Sequence, residues 1–280
     1  MKFENTEVFN FEGAFRGMRN PYDSWNKADS SFGMFSYEPN DDAWEIAESY
    51  YNDDDWRNSD DPEVIKEAEN EIDELQNWLI EQGITWNKDK EHGTWAYIGP
   101  NDMNLAQRLI RGGPVHSKFL RQIMVSVDIT APFYWWKEFD TYKVGTVANS
   151  CSTMHKLTSY PFSYDCFEMT DFEGDLNPYD GNPLNPDITI KNIWDNLLTD
   201  CENLRRAYNE TKDKRYWKEL VRILPESFLQ KRTVTLNYEV LRNIYKWRAK
   251  HRLTEWHEFC NWMKSLPYAE DLITYGIDPE

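Results

Sequence analysis

The chain has 280 residues, enough for one large domain or two modest ones with a sizeable core. With 40% hydrophobic and 29% charged residues it belongs among soluble globular chains. Its 31 basic and 49 acidic residues give a formal net charge of −18, which argues against a protein that coats a nucleic-acid polymer. A small basic pocket for one nucleotide stays compatible with that balance. No apolar run approaches the roughly 20 residues that span a bilayer. The opening MKFENTEVFNF carries acid before any long apolar segment, so a cytoplasmic location is expected. Cys151, Cys166, Cys201 and Cys260 lack paired metal-ligand spacing, which fits reduced thiols and no metal.

Residues 1 to about 60 read as an aromatic, turn-rich opening. Arg16, Arg19, Trp25 and Lys27 either line a polar pocket or fasten this segment to the surface. The run Asp53, Asp54, Asp55 suits a solvent-facing stretch, since adjacent side chains diverge. A helix is expected over 61–83, with Asp61 as N-cap, Pro62 at the first helical position and Gly83 at the end. Val64, Ile65, Ala68, Ile72, Leu75, Trp78 and Leu79 recur at helical spacing and should pack inward.

A shorter helix fits 103–111, ahead of the Gly112, Gly113 break. Ile123, Val125, Val127 and Ile129 then alternate with more polar residues, which predicts a strand. Pro132 permits a helix to start after it. The stretch 169–189 is acidic and rich in Pro and Gly, and reads as a surface-loop insertion. Its register departs from a calcium loop, because Gly181 comes one place late and no closing Glu follows. Ile193, Trp194, Leu197, Leu198, Cys201, Leu204 and Tyr208 form an apolar stripe on a helix, and further helices fit 241–248 and 256–263. Cys201 and Cys260 therefore read as core.

Dinucleotide, phosphate-loop and nucleophile-elbow fingerprints are missing, and the five histidines never form HExxH. Two clusters remain. Asn237 suits the N-cap of a helix on which Leu241, Ile244, Tyr245 and Arg248 share a face. A guanidinium near an apolar face wants a carboxylate or a ligand phosphate. Arg252 one turn on and Asn243 earlier would help to bind an anionic nucleotide with carbonyl-rich rings. In the second cluster Ser150, Cys151, Ser152 and Thr153 supply small donors, with Lys143 or Lys156 for charge. An inward turn of that backbone would hold phosphate oxygens.

The order of these features resembles the flavin-dependent thymidylate synthases. The resemblance is carried by residues 222–256, with Arg222 ahead of Leu224 and Pro225, then TVTLN, then NYEVLRNIYKWRAKHRLTEW. A central stretch from 119 to 154, with its strand and the Ala131, Pro132 step, follows the same order. About half the chain is covered, and residues 1–101 form a divergent N-terminal portion of a single domain over 1–280. The resemblance implies an α/β (α+β) thymidylate-synthase-like fold, with a central mixed or antiparallel sheet flanked by helices. It also implies a homotetramer that binds FAD and deoxyuridine monophosphate, using methylenetetrahydrofolate and NADPH as co-substrates.

On that pattern Asn237 and Asn243 contribute to the flavin and nucleotide pocket, and Arg248 holds and polarises the pyrimidine. Gln122 stands where the family has a flavin-contacting histidine, and Arg252 where it has another. Arg222 is the candidate phosphate contact on that pattern, while Lys143, Ser150, Cys151 and Ser152 of the second cluster are further candidates for binding the substrate. The family's Arg-His-Arg signature is replaced here by Thr141, Tyr142 and Lys143, and an arginine of the family by Glu239. A member with altered nucleotide chemistry, or one that only binds a nucleotide, is the alternative reading. A non-enzymatic structural or interaction protein is a third.

Overall fold

The computed structural model describes residues 1–35, 62–81, 93–152, 156–178 and 188–279. Its strands are β1 (Lys2–Phe9), β2 (Ser31–Phe35), β3 (Gly93–Tyr97), β4 (Met124–Pro132), β5 (Val147–Ser150) and β6 (Leu229–Asn237). Its α-helices are α1 (Phe11–Arg19), α2 (Pro62–Glu81), α3 (Pro100–Arg111), α4 (Phe133–Phe139), α5 (Ile190–Thr211), α6 (Lys214–Ile223), α7 (Tyr238–Arg248) and α8 (Thr254–Lys264). One sheet has the strand order β1-β4-β6-β5, so β5 is an edge. A second sheet pairs β2 with β3 antiparallel, with Phe32 opposite Ala96 and Gly33 opposite Trp95. The fold is thus mixed α/β, as the sequence predicts. Among the described residues no helix is long and apolar enough to cross a membrane.

The chain divides into two compact units. The first comprises Met1–Glu4, Asp128–Tyr142 and Ala148–Val234. Here the helix after the Ala131, Pro132 step buries Trp135, Trp136 and Phe139, with the Trp135 and Phe139 rings stacked at 5.0 Å. The helical hairpin α5–α6 has its own sequence logic. Thr189 and Asn192 form a capping box at the start of α5, Lys212 ends it in the left-handed region, and Asp213 caps α6. Leu157, Cys201 and Leu220 make its core, covered by Phe162, Leu197, Leu204, Leu224 and Phe228. Burial pushes the Cys201 thiol up to about 11, which suits a packing residue and not a nucleophile.

The second unit comprises Asn5–Val127, Lys143–Val147 and Thr235–Glu280. The inward residues of β4, Val125 and Val127, are fully buried, as their alternation requires. Phe11 on α1 meets Tyr238 edge-on at 5.7 Å and Tyr268 at 5.8 Å. Leu241, Ile244, Trp256 and Phe259 complete the packing of α7 and α8. Cys260 is buried on α8, and its thiol too is pushed up to about 11 by burial.

The helix expected over 61–83 is α2, and Pro62 opens it. Asp61, Gly83 and the Asp53–55 run lie outside the described residues. Ile72 is fully buried and Trp78 packs its ring on Tyr97 and Tyr268. Val64, expected inside, is exposed because it sits in the first turn beyond that contact. In the acidic insertion, 179–187 lies outside the described residues.

The opening segment departs most from expectation, since it carries β1, α1 and β2. Its two glycines disguise α1. Gly17 is a close-approach position, where a Cβ would stand 2.9 Å from Oε1 of Gln122. The glycine therefore marks packing here, not a break.

Candidate functional site

The strongest candidate lies in the second unit, on α7 and what touches it. Asn237 ends β6 in extended conformation, and its Oδ1 accepts the Val240 N–H at 3.1 Å. It is the N-cap the sequence predicts, on a residue only 6% exposed. One helix length later, Arg248 is half-buried with its guanidinium 5.0 Å from the centre of the Trp256 ring. Trp256 itself is fully buried on α8. A guanidinium over an indole ring is held there by cation–π attraction. Its position at the C-terminal end of α7 also suits a cation.

The other residues expected with Arg248 are spread more widely. Asn243 and Arg252 are exposed. Asn243 lies on the outward face of a helix that buries Leu241 and Ile244, and Arg252 lies beyond its end. Gln122 is exposed, and its backbone carbonyl accepts from Asn10 Nδ2 at 2.9 Å. Glu239, which stands where an arginine was expected, forms an ion pair with Arg121, whose Nη2 donates to Oε1 at 3.1 Å. That hydrogen bond and the adjoining charge raise the Arg121 pKa further.

The turn at Lys143–Val147 belongs to the same unit. Lys143 is exposed. Gly145 has φ +78, and a Cβ on it would stand 2.8 Å from Asn237 Nδ2 and 3.1 Å from Val240 Cγ2. Among the described residues the adjacent Thr146 Oγ1 is buried without a hydrogen-bond partner. Sequence reading passed over both residues. The glycine between Lys143 and Thr146 was the available signal.

The small-donor cluster belongs to the first unit from Ala148 onward, and Ser150, Cys151 and Ser152 are all exposed. The inward turn expected of this backbone is replaced by strand pairing. Cys151 N–H donates to the Lys231 carbonyl at 2.9 Å, and Gln230 Nε2 donates to the Cys151 carbonyl at 2.9 Å. Gln230 is held in turn by Arg232 Nε at 2.9 Å, while Arg232 stacks 4.2 Å from the Trp136 ring and reaches Asp140 at 2.8 Å. Side chains, not a nest of N–H groups, are what this segment can offer a phosphate. Arg222 is exposed on α6 and ion-paired with Glu219.

The N-terminal alternatives resolve toward fastening. Arg19 and Asp102, both almost fully buried, form an ion pair. Arg19 also donates to the carbonyls of Ser24 at 3.1 Å and Lys27 at 2.9 Å, and Asp102 accepts from Ser30 Oγ at 2.6 Å. Arg16 pairs with Glu12 at 3.2 Å, and Trp25 Nε1 donates to Asn20 at 2.9 Å.

These residues fit the ring end of a flavin or pyrimidine better than a pyrophosphate. The second Asn237 carboxamide atom, Nδ2, faces the Gly145 turn. It suits a ring carbonyl. The cations that a pyrophosphate wants are reduced, with Arg121 already taken by Glu239.

By sequence, the chain matches no family model and no curated protein. By structure it is similar to flavin-dependent thymidylate synthase ThyX from Helicobacter pylori, complexed with FAD and dUMP. That match has 17% identity and a TM-score of 0.44, over 64% of this chain and 85% of the other. A second crystal structure of thymidylate synthase X from the same organism, with FAD and dUMP, matches over 98% of this chain and 97% of the other. Identity there is 14% and the TM-score 0.52. On the strength of that end-to-end match, the chain has a flavin-dependent thymidylate synthase-like fold.

Proposed function

We propose that the chain binds a pyrimidine nucleoside monophosphate of the deoxyuridine type and methylates it in a flavin-dependent reaction. The observation that carries this reading is on α7. A half-buried arginine over the Trp256 ring ends this helix, and the buried Asn237 caps its start. The fold of the chain matches, end to end, a thymidylate synthase X crystallised with FAD and dUMP. In this reading Arg248 grips the pyrimidine, and Asn237 and Asn243 hold ring carbonyls. Arg252 and Gln122 flank the cofactor. Lys143, Arg222 and the side chains of Ser150, Cys151 and Ser152 serve the phosphate. FAD, when bound, would supply the reducing electrons, with methylenetetrahydrofolate as one-carbon donor and NADPH as reductant. The assembly is a homotetramer in which copies complete one another's pockets.

A second reading, nucleotide binding with altered chemistry, is favoured by one feature. Glu239 places a carboxylate and its Arg121 partner where a free arginine was expected. The deciding experiment is the absorption spectrum of gently purified protein, with extraction of its ligand and calorimetry against deoxyuridine monophosphate. Flavin together with nucleotide binding supports methyl transfer. Nucleotide binding without flavin selects the second reading. Neither flavin nor nucleotide would assign the chain to structural or interaction work.

A further inference from the structure

The surface around the start of α5 joins exposed apolar side chains to a one-sided charge. Between Lys156 and Arg205 the chain has ten acidic residues and a single basic one, Lys191. Lys191 is tied to Asp195, Nζ to Oδ2 at 2.6 Å, so that one cation is already neutralised. Asp165, Asp171, Glu173 and Asp175 are exposed and form no ion pair among the described residues. Each adjoins an apolar or aromatic side chain. Asp165 follows Tyr164, Asp171 and Glu173 flank Phe172, and Asp175 precedes Leu176. The loop that carries them is hydrogen-bonded to the helix start, where Ile190 N–H donates to the Leu176 carbonyl and Lys191 N–H to the Gly174 carbonyl, both at 2.8 Å. The Phe172 ring lies 5.8 Å from Tyr164 and 6.5 Å from Trp194, and the Tyr164 hydroxyl donates to Asp195 at 2.9 Å. Phe172, Leu176 and Ile193 are nevertheless 36%, 58% and 39% exposed. Apolar side chains that cluster in water on an ordered surface mark a contact site.

Charge selects the occupant. Unpaired carboxylates repel nucleic acid, anionic lipid and a second copy of a chain whose formal charge is −18. Among the described residues no group of three or more His, Cys, Asp or Glu converges as a metal-ligand set. The carboxylates are therefore spaced for several cations of one partner and not for a single ion. We propose that this surface docks a cationic amphipathic segment of another protein. Its apolar side chains would seat on Phe172, Leu176 and Ile193, and its lysines or arginines would meet the carboxylates beside them. The apolar contacts hold the segment, while the acidic rim speeds its approach and aligns it. None of these residues serves the nucleotide site proposed above.

The full-length protein can be tested with a defined probe, a fluorescein-labelled helix-forming peptide of leucines and lysines with one apolar face. A scrambled peptide of the same composition is its control. Fluorescence anisotropy compares wild type with two altered proteins, Asp171→Lys with Glu173→Lys, and Leu176→Ser with Ile193→Ser. A third, Glu67→Lys with Glu71→Lys on α2, changes charge outside the surface. Both surface pairs should weaken the amphipathic peptide by about 10-fold or more, and the α2 pair should stay within about 2-fold of wild type. Rising salt should weaken wild-type binding, and the scrambled peptide should bind about 10-fold less tightly. All four surface side chains are exposed, so the fold should survive, which circular dichroism checks. If the apolar pair unfolds, the charge pair decides. Equal losses in the α2 pair, or equal binding of the scrambled peptide, would reduce the effect to general attraction by an acidic protein and overturn the inference. Failure of wild type to bind the amphipathic peptide overturns it as well. Sedimentation velocity supplies the last arm, since a change of oligomeric state in Leu176→Ser with Ile193→Ser would give the surface to a second copy instead.

Discussion

Arg248 ends α7 with its guanidinium 5.0 Å above the ring of Trp256, the third residue of α8. Lysine in its place keeps the charge and loses the planar fork and its stacking. Arg248→Lys should therefore weaken deoxyuridine monophosphate binding by about 1.5–3 kcal/mol, or about 10- to 150-fold, with the fold intact. Calorimetry beside thermal unfolding checks this. Unchanged affinity with a large stability loss would withdraw Arg248 from the site and make it a packing residue.

Arg121 and Glu239 tie the entry of β4 to the first turn of α7. Arg121→Glu should set two carboxylates against each other and lower the melting temperature by a few degrees. The charge-swapped double variant, Arg121→Glu with Glu239→Arg, should recover most of that loss. Additive losses in the double variant would show that the pair carries no coupling.

The buried pair Arg19 and Asp102 offers a different test. Removing one member strands a buried charge, at a cost of about 3–5 kcal/mol. Asp102→Ala should also release Ser30 and the carbonyls that Arg19 gathers. Urea unfolding measures the cost, and limited proteolysis should find new cleavage within residues 20–30. A loss below about 1 kcal/mol would contradict the fastening role.

Acid should act on the α5–α6 hairpin through Glu202. Arg205 is the main cause that holds its carboxyl down to about 2, with Arg206 and the Phe162 N–H assisting. A depressed carboxylate contributes stability above its unfolded pKa, and loses it as pH falls from about 4.5 toward 2. Glu202→Gln should lower stability at pH 7 by about 1–2 kcal/mol and flatten the acid limb of the stability profile. Parallel profiles for wild type and variant across that window would refute the assignment.

Legibility varied with how local each cause was. The β4 strand, the Ala131, Pro132 step and the Asn237 cap rest on alternation, a fixed φ and one side-chain acceptor, and all three stood in the sequence. α1 did not, because Gly17 reports its contact with Gln122, more than a hundred residues away. The site divides likewise. Arg248 follows from helical spacing on one element. The Gly145 contact with Asn237 joins a turn to a cap 92 residues later, and no local pattern announces it. The pairing of Cys151 with Lys231 is likewise a distant event, with no local pattern to announce it.

The four cysteines differ sharply in chemistry, and this gives the protein a built-in handle. Cys201 and Cys260 are buried with thiols pushed up to about 11, so they stay protonated and out of reach of maleimides at neutral pH. Cys166 is only partly exposed, with its Sγ 3.8 Å from the Pro161 carbonyl. Of the four, Cys151 is the exposed one, at the end of an edge strand beside Ser150 and Ser152. A fluorophore introduced after Cys166→Ser should therefore attach at one place, among the side chains nominated for the substrate phosphate. Nucleotide titrations could then be followed by emission, without engineering a new attachment point.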